Sequence, residues 1–473
     1  MKDINHYNGK WKIYEDEESV GTLVVNEEKG GMYLIIKLPS KGSSINHKMT
    51  VTYKDIINGK LDNEGEVALI NCAYFTRHDY IGSHSDLYYS VDAVYWGKYF
   101  EKIEDAYTDR AFFRLSNAVE WSGLCKLISE YKDKHVKFKW EEKGDIKYTY
   151  RNGDMLTVTP MISKYSSETS KQEIKITQDV NFEFKSKERI SIFEFEERLN
   201  TISELIPFAT GYATAIKSSH VIFSETSNME YSTPFEVILN RKTVDESQDI
   251  SQYKLVFTLL ELKEKNLMSN WIEKYERLKP VIDLYLVPVK YNDMSVEMVF
   301  LNSVQALETY HARFVCNSRK NYHTRVLNKI VSWKESPNYD HLYDELFSKA
   351  KGLEKSDSIT LLERLYDLFV ADLNFPLRQY IGVYPVKFCK QVKDTRNYLT
   401  HYGEKDKDKA FSTVETGLAI AVLRKLISYY ILHEIGFDNE FCEKKNTKDR
   451  EGFDFHVSIL KESNKLKEDS VFK

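Results

Sequence analysis

Asp394-Thr395-Arg396-Asn397-Tyr398-Leu399-Thr400-His401-Tyr402-Gly403 is the stretch on which the reading of this chain turns. Arginine is followed at once by asparagine and, after four intervening residues, by histidine, an RxxxxH pattern written RNxxxH. The segment closes one apolar-periodic run, Val386 to Tyr402, and precedes another, Ala410 to Ile435. Apolar residues three and four apart give a helix one core-facing stripe. The pattern therefore predicts two consecutive helices with RNxxxH at the end of the first. Pro385 suits the first turn, where its missing N–H costs nothing.

On an ideal helix at about 100° per residue, with Asp394 at zero, Asn397 falls at roughly 300° and His401 at roughly 340°. These three are expected on one polar face. Arg396 falls at about 200°, between Val392 at about 160° and Cys389 at about 220°, on the apolar edge. An arginine there is costly unless it is paired or lies in a seam between subunits. Gly403 is the expected left-handed cap.

Arg396 and His401 suit one kind of chemistry. RNA is cut without a metal when its own 2′-hydroxyl attacks the neighbouring phosphate, which requires a proton carrier and a group that stabilises phosphoryl charge. Histidine serves the first need and the planar fork of arginine the second. Arg396, His401 and Asn397 are the candidate catalytic residues, with Asn397 and Asp394 orienting the histidine. A histidine near a capping glycine and an arginine paired with an acid also occur in ordinary helices, and the short motif alone does not separate the two readings.

Outward from the motif, helical character reaches back to about Ser269-Asn270, with Trp271 to Tyr275 and Val281 to Leu286 leading toward a bundle that begins near Met294. Val296, Phe300, Val304, Leu307 and His311 step by three and four. Further helices are predicted at Tyr322 to Trp333, Tyr339 to Ala350 and Ser358 to Leu373, the last broken by Asn374-Phe375-Pro376. Between Ala312 and Lys334 stand Arg313, Arg319, Lys320, Arg325, Lys329 and Lys334 with no acid among them. This is either a solvated face or a track for an RNA backbone, with Arg319, Lys320 and Arg325 as the candidate substrate-binding residues.

The N-terminal half reads differently. Trp11 to Tyr14, Gly21 to Val25, Met32 to Leu38, Glu66 to Ile70 and Tyr88 to Trp96 are short β-branched or aromatic runs separated by turn residues, as in an antiparallel sandwich or barrel. A second β-rich stretch runs from about Lys137 to Phe184. An amphipathic helix is predicted at Ile192 to Phe208, built on Phe193, Leu199, Ile202 and Leu205 and stopped by Gly211. More strands are predicted at Ser219 to Ser224 and Lys254 to Leu260. The fold class is α+β, a β-rich antiparallel N-terminal half followed by an all-α helical bundle. The expected domains are residues 1–290, 291–437 and a charged tail at 438–473.

The 473 residues carry 42% hydrophobic content, enough for buried cores. Net charge is −5, which argues against indiscriminate coating of nucleic acid, since that binding is driven by phosphate neutralisation. No run is long enough to span a bilayer and no secretory signal is read at the N-terminus, so a cytoplasmic location is expected. The five cysteines are scattered without a CxxC pair and are expected to be reduced packing residues. No metal and no cofactor is expected.

RNxxxH, together with Phe300-Leu301 and Gln305-Ala306-Leu307-Glu308 on an early helix, resembles the HEPN domain of the ApeA family of bacterial phage-defence proteins. Gly9-Lys10-Trp11, Gly21-Thr22-Leu23 and Trp121 are similar to the β-rich N-terminal domain of that family. The resemblance covers about Met294 to Phe437 well and reaches into the N-terminal half. It implies a metal-independent HEPN endoribonuclease acting by abortive infection, with an N-terminal region that senses or restrains. It also implies RNA as substrate, tRNA included, a homodimer or higher homo-oligomer, and a phage-derived trigger. Some HEPN toxins carry RxxxxHxY; here Tyr402 directly follows His401. A catalytically silent HEPN interaction or nucleic-acid-binding module is the alternative, and a carbohydrate-binding N-terminal domain is a third reading that rests on its aromatics.

Overall fold

The computed structural model describes residues 4–14, 17–26, 31–39, 53–63, 65–80, 83–132, 135–166, 174–223, 234–241, 250, 255–291, 293–334, 358–371, 385–403 and 407–442. The chain divides into two compact units, residues 1–250 with 258–260, and residues 251–257 with 261–473. The division falls earlier than the 290/291 boundary expected from sequence, because the helix Met268–Lys290 belongs to the second unit.

In the first unit β1 (Asn5–Tyr14), β2 (Glu17–Val25), β3 (Met32–Pro39), β4 (Tyr53–Leu61), β5 (Gly65–Tyr80) and β6 (His84–Ser90) form an antiparallel ring. The order is β5-β4-β1-β2-β3-β6, and β6 pairs back onto β5, closing a barrel. Closure leaves no free edge along these strands. Period-two alternation turns Trp11, Ile13, Leu23, Leu34, Ile36 and Leu69 into one core. Two glycines make room for Trp11. Gly59 on β4 stands opposite it, and Gly21 on β2 stands opposite Gly9, whose own Cβ would meet the Lys60 carbonyl instead. A Cβ at Gly59 would overlap the indole, and one at Gly21 would come within 2.9 Å of it. The largest side chain of the barrel fits because its neighbours have none.

The sheet continues from β5 through β7 (Ala93–Trp96) to β15 (Phe235–Leu239), β14 (Ile216–Ile222) and β8 (Thr108–Leu115), then to β13 (Ile174–Ile190), β12 (Met155–Ser166) and β11 (Ile146–Thr149). The hairpin β9 (Cys125–Lys132) with β10 (His135–Glu142) forms a separate two-stranded sheet. The helix predicted over Ile192 to Phe208 is two helices, Ile192–Ser203 and Leu205–Thr210. Pro207 has no N–H for the Ser203 carbonyl, so the ladder breaks there. Ser191 and Glu194 form a capping box at the start, and Gly211 at φ 77 ends the second piece. Phe195 rather than Phe193 joins Leu199 and Ile202 in the core. Large aromatics such as Trp11, Tyr89, Tyr95 and Trp121 are interior, whereas Phe75 and Tyr80 stay exposed.

Of the strand predicted at Lys254 to Leu260, nothing forms among the described residues 255–260. Residues 255–258 are irregular and Leu259 opens a helix, Leu259–Glu264. Leu255, Phe257 and Leu259 are all buried, and Phe257 packs on Phe437 at 5.4 Å between ring centroids. Alternation there records burial of an extended segment, which a strand pattern mimics.

The second unit is helical among its described residues: Met268–Lys290, Val296–Tyr310, Arg319–Lys334, Leu361–Tyr366, Pro385–His401 and Thr413–Ile435. Helix Thr413–Ile435 is buried on most sides and packs against Val296–Tyr310 and Met268–Lys290. Ser412 and Glu415 cap its start and Gly436, at φ 107, its end. Pro280 does not end the helix Met268–Lys290, in which Trp271, Tyr275, Leu278, Val281 and Ile282 are buried. Two π-helical turns, His311–Val315 and Asp367–Ala371, extend the helices before them. The helix expected at Tyr339 to Ala350 and the end of the one expected to Leu373 lie outside the described residues. Residues expected to begin the tail still pack: Phe441 stacks on Phe437 at 4.2 Å and Cys442 is buried. Among the described residues no helix is long and apolar enough to cross a membrane.

Candidate active site

The motif helix Pro385–His401 starts on Pro385, as its sequence requires. Phe388, Cys389, Val392 and Thr395 are buried and define the inner face. Phe388 meets Phe369 at 5.5 Å and Phe411 at 6.0 Å between ring centroids. The Thr395 hydroxyl accepts a hydrogen bond from the Phe411 N–H at 2.8 Å, tying the motif helix to the start of the next. Burial pushes the Cys389 thiol well up, which marks a packing residue rather than a nucleophile.

This face fixes where the motif side chains stand. Arg396 is half-buried at its edge, Asp394 and Asn397 are half-buried, and His401 is exposed as the last helical residue. Arg396 Nη1 donates to Asn397 Oδ1 at 3.4 Å, and Asp394 pairs with Lys393 at 2.8 Å. Among the described residues no side-chain hydrogen bond reaches the His401 imidazole, so the expected orienting role of Asp394 and Asn397 is not made within one chain in this structure. The left-handed residue after the helix is Tyr402, at φ 49, where Gly403 was expected. Its N–H still donates to the Tyr398 carbonyl at 2.6 Å, and the two tyrosine rings meet edge to face at 5.7 Å. A bulky residue held at positive φ costs about 1–2 kcal/mol, so the chain is strained beside the histidine.

Two family models cover these units. The one for ApeA N-terminal domain 1 matches residues 6–271, more than half of the 473-residue chain. The chain belongs to the ApeA family. A second model, Apea-like HEPN, matches residues 301–441 of this ApeA chain and takes in RNxxxH. The HEPN match points to a nuclease-type function. Comparison with curated proteins and with solved structures gave no match.

The acid-free stretch of the ApeA chain is not one open track. Arg319 pairs with Glu363 at 2.7 Å, with both side chains largely buried, and Arg325 pairs with buried Asp367. Lys320 is exposed. Of the three candidate substrate-binding residues, the structure therefore places two in ion pairs. Sequence reading missed their carboxylates because Glu363 and Asp367 lie on another helix, about 40 residues downstream of their partners.

Asp367 also centres a buried cluster. His311 Nε2 lies 2.7 Å from Asp367 Oδ2, and Arg364 Nη1 lies 3.0 Å from His311 Nδ1. A guanidinium can only donate, so His311 Nδ1 accepts and its Nε2–H donates to the carboxylate. Burial pushes the Asp367 carboxyl up, but hydrogen bonds from His311 and Arg325 outweigh it and leave it below its ordinary value. Both π-helical turns begin on members of this pair, His311 and Asp367. No local motif signals the cluster, since its partners are 56 residues apart.

Proposed function

We propose that this ApeA chain is a metal-independent HEPN endoribonuclease that cleaves cellular RNA, tRNA included, in abortive-infection defence against phage. The observation that carries the reading is that Arg396, Asn397 and His401 all lie in the last two turns of one helix and none of them is buried, within the segment that matches the HEPN family.

His401 takes the proton of the RNA 2′-hydroxyl as that oxygen bonds to phosphorus, or returns a proton to the 5′-oxygen as its bond to phosphorus breaks. Arg396 balances charge on the non-bridging phosphoryl oxygens. The products are a 2′,3′-cyclic phosphate and a 5′-hydroxyl, and no metal enters the balance. Among the described residues no side-chain hydrogen bond joins the exposed His401 to Arg396, which supports a homodimer in which two motif helices face each other across a shared phosphate. A phage-derived trigger acting through the β-rich half, and a cytoplasmic site of action, belong to the same reading.

The test is sequencing of RNA ends from cells producing the wild type and His401→Ala. New 5′-hydroxyl ends confined to the wild type support the nuclease. Identical ends in both would leave a silent HEPN module that only binds. In vitro, cleavage should survive EDTA and fail on RNA with 2′-O-methyl at the cut site.

A further inference from the structure

The geometry points to a phosphate-binding cleft in the helical unit, built by Arg277, Arg313, Lys320 and Arg325. These four cations line a cavity of about 720 Å³ in which none of the described lining residues is acidic. That volume is in the range of small-ligand sites. The chain as a whole has 72 acidic against 67 basic residues, so the cleft is not a sample of its average surface.

Three of the four cations are held by a neighbour. Arg277 lies over the Phe314 ring at 4.4 Å from its centroid, and Arg313 Nη1 donates to the Arg277 carbonyl at 3.2 Å. Arg325 is held by Asp367, whose other oxygen is bonded to His311. Lys320 lies in the first turn of the helix Arg319–Lys334 and is exposed. First-turn backbone donors lack intrahelical acceptors and carry the positive end of the helix dipole, so lining residues Lys320 and Asn321 bring donors as well as charge. The Asn317 side-chain Oδ1 accepts from Arg364 at 3.2 Å, and Asn317 also lines the cleft.

Glu434, the acid among the described lining residues of an adjoining cavity, is paired with Lys274 at 2.8 Å and with the Tyr310 hydroxyl at 2.9 Å. Arg277, Arg313 and Lys320 repel one another in a concave wall and, beside the ion-paired Arg325, focus a positive potential that an anion relieves. The Phe314 ring is stacked on Tyr310 at 5.2 Å and covered by Arg277, so it offers no free face to a base. The ligand is therefore read through its phosphates. Two sources share that chemistry, an RNA strand and a free nucleotide or polyphosphate.

The inference does not depend on catalysis at His401, and its test uses probes that cannot be cleaved. Binding of a 2′-O-methyl 12-mer, of ATP and of inorganic tripolyphosphate to the full chain is measured by titration calorimetry at 50 and 200 mM salt. For the 12-mer, four phosphate contacts give a log–log salt slope near −3, a loss of roughly 50-fold over that span. Arg277→Ala, Arg313→Ala and Lys320→Ala together should cut affinity at least 10-fold and flatten the slope to about −1. All three side chains are exposed, so circular dichroism should be unchanged; Lys320→Arg should restore part of the affinity. Binding of the 12-mer but not tripolyphosphate assigns the site to RNA, and binding of tripolyphosphate or ATP assigns it to a free ligand. No binding of any probe, or binding indifferent to the triple variant, overturns the proposal, whatever the outcome of the RNA-end experiment.

Discussion

Asp367→Ala tests whether the buried His311–Asp367–Arg325 cluster holds the helical unit together. Two losses set the magnitude. The His311 Nε2–H, fully buried, loses an acceptor at 2.7 Å, and an unsatisfied buried donor costs about 1–3 kcal/mol. The Arg325 guanidinium, 23% exposed, loses its carboxylate; partial solvent screening limits that part to about 1 kcal/mol. Together they give about 2–4 kcal/mol. Asp367→Asn keeps an oxygen for His311 and loses only the charge, so about 1–2 kcal/mol is expected. Hydrogen exchange of peptides from Val296–Tyr310 reads the helical unit alone. In the limit where exchange follows opening, their amides should exchange roughly 30- to 800-fold faster in Asp367→Ala and roughly 5- to 30-fold faster in Asp367→Asn. Equal protection in both variants, or an alanine variant within about 0.5 kcal/mol of wild type, would refute the idea that satisfaction of His311 is what counts.

The same carboxylate sets a pH dependence. Because its folded value is depressed, its contribution is complete above the ordinary carboxylate value near ~3.9 and is lost as pH falls through the folded value; the urea-midpoint gap between wild type and Asp367→Asn should hold from pH 7 to 5 and close below about pH 4. His401→Ala should lower RNA cleavage by ~10² to 10⁴ while leaving the unfolding midpoint within about 0.5 kcal/mol, since the side chain is exposed; residual cleavage near wild type would remove His401 from the chemistry. Thr395→Val should cost about 1–3 kcal/mol by leaving the buried Phe411 N–H without its acceptor, seen as faster exchange at that amide. Gly59→Ala should destabilise the barrel by about 1–3 kcal/mol, because its Cβ overlaps the Trp11 indole; thermal unfolding unchanged from wild type would mean that the indole has room to move.

Period-two runs from Trp11 to Leu38 and three-to-four steps around Phe300, Leu365 and Val392 were enough to read β first and helix after, because side-chain periodicity follows backbone geometry residue by residue. The helix carrying Arg396 and His401, its proline start and the apolar edge beside Arg396 were legible for the same reason. Closure of the ring by β6 on β5 was not, since pairing of Tyr80 with His84 and of Ala73 with Ser90 depends on register rather than on composition. Nor was the fate of the basic stretch. Arg319 and Arg325 look alike with Lys320 along the chain, and only packing against Glu363 and Asp367 separates the two paired cations from the exposed lysine. Sequence determines which faces are apolar and which charges exist; burial decides which charges must find a partner, because the cost of leaving water is paid only where the fold excludes it.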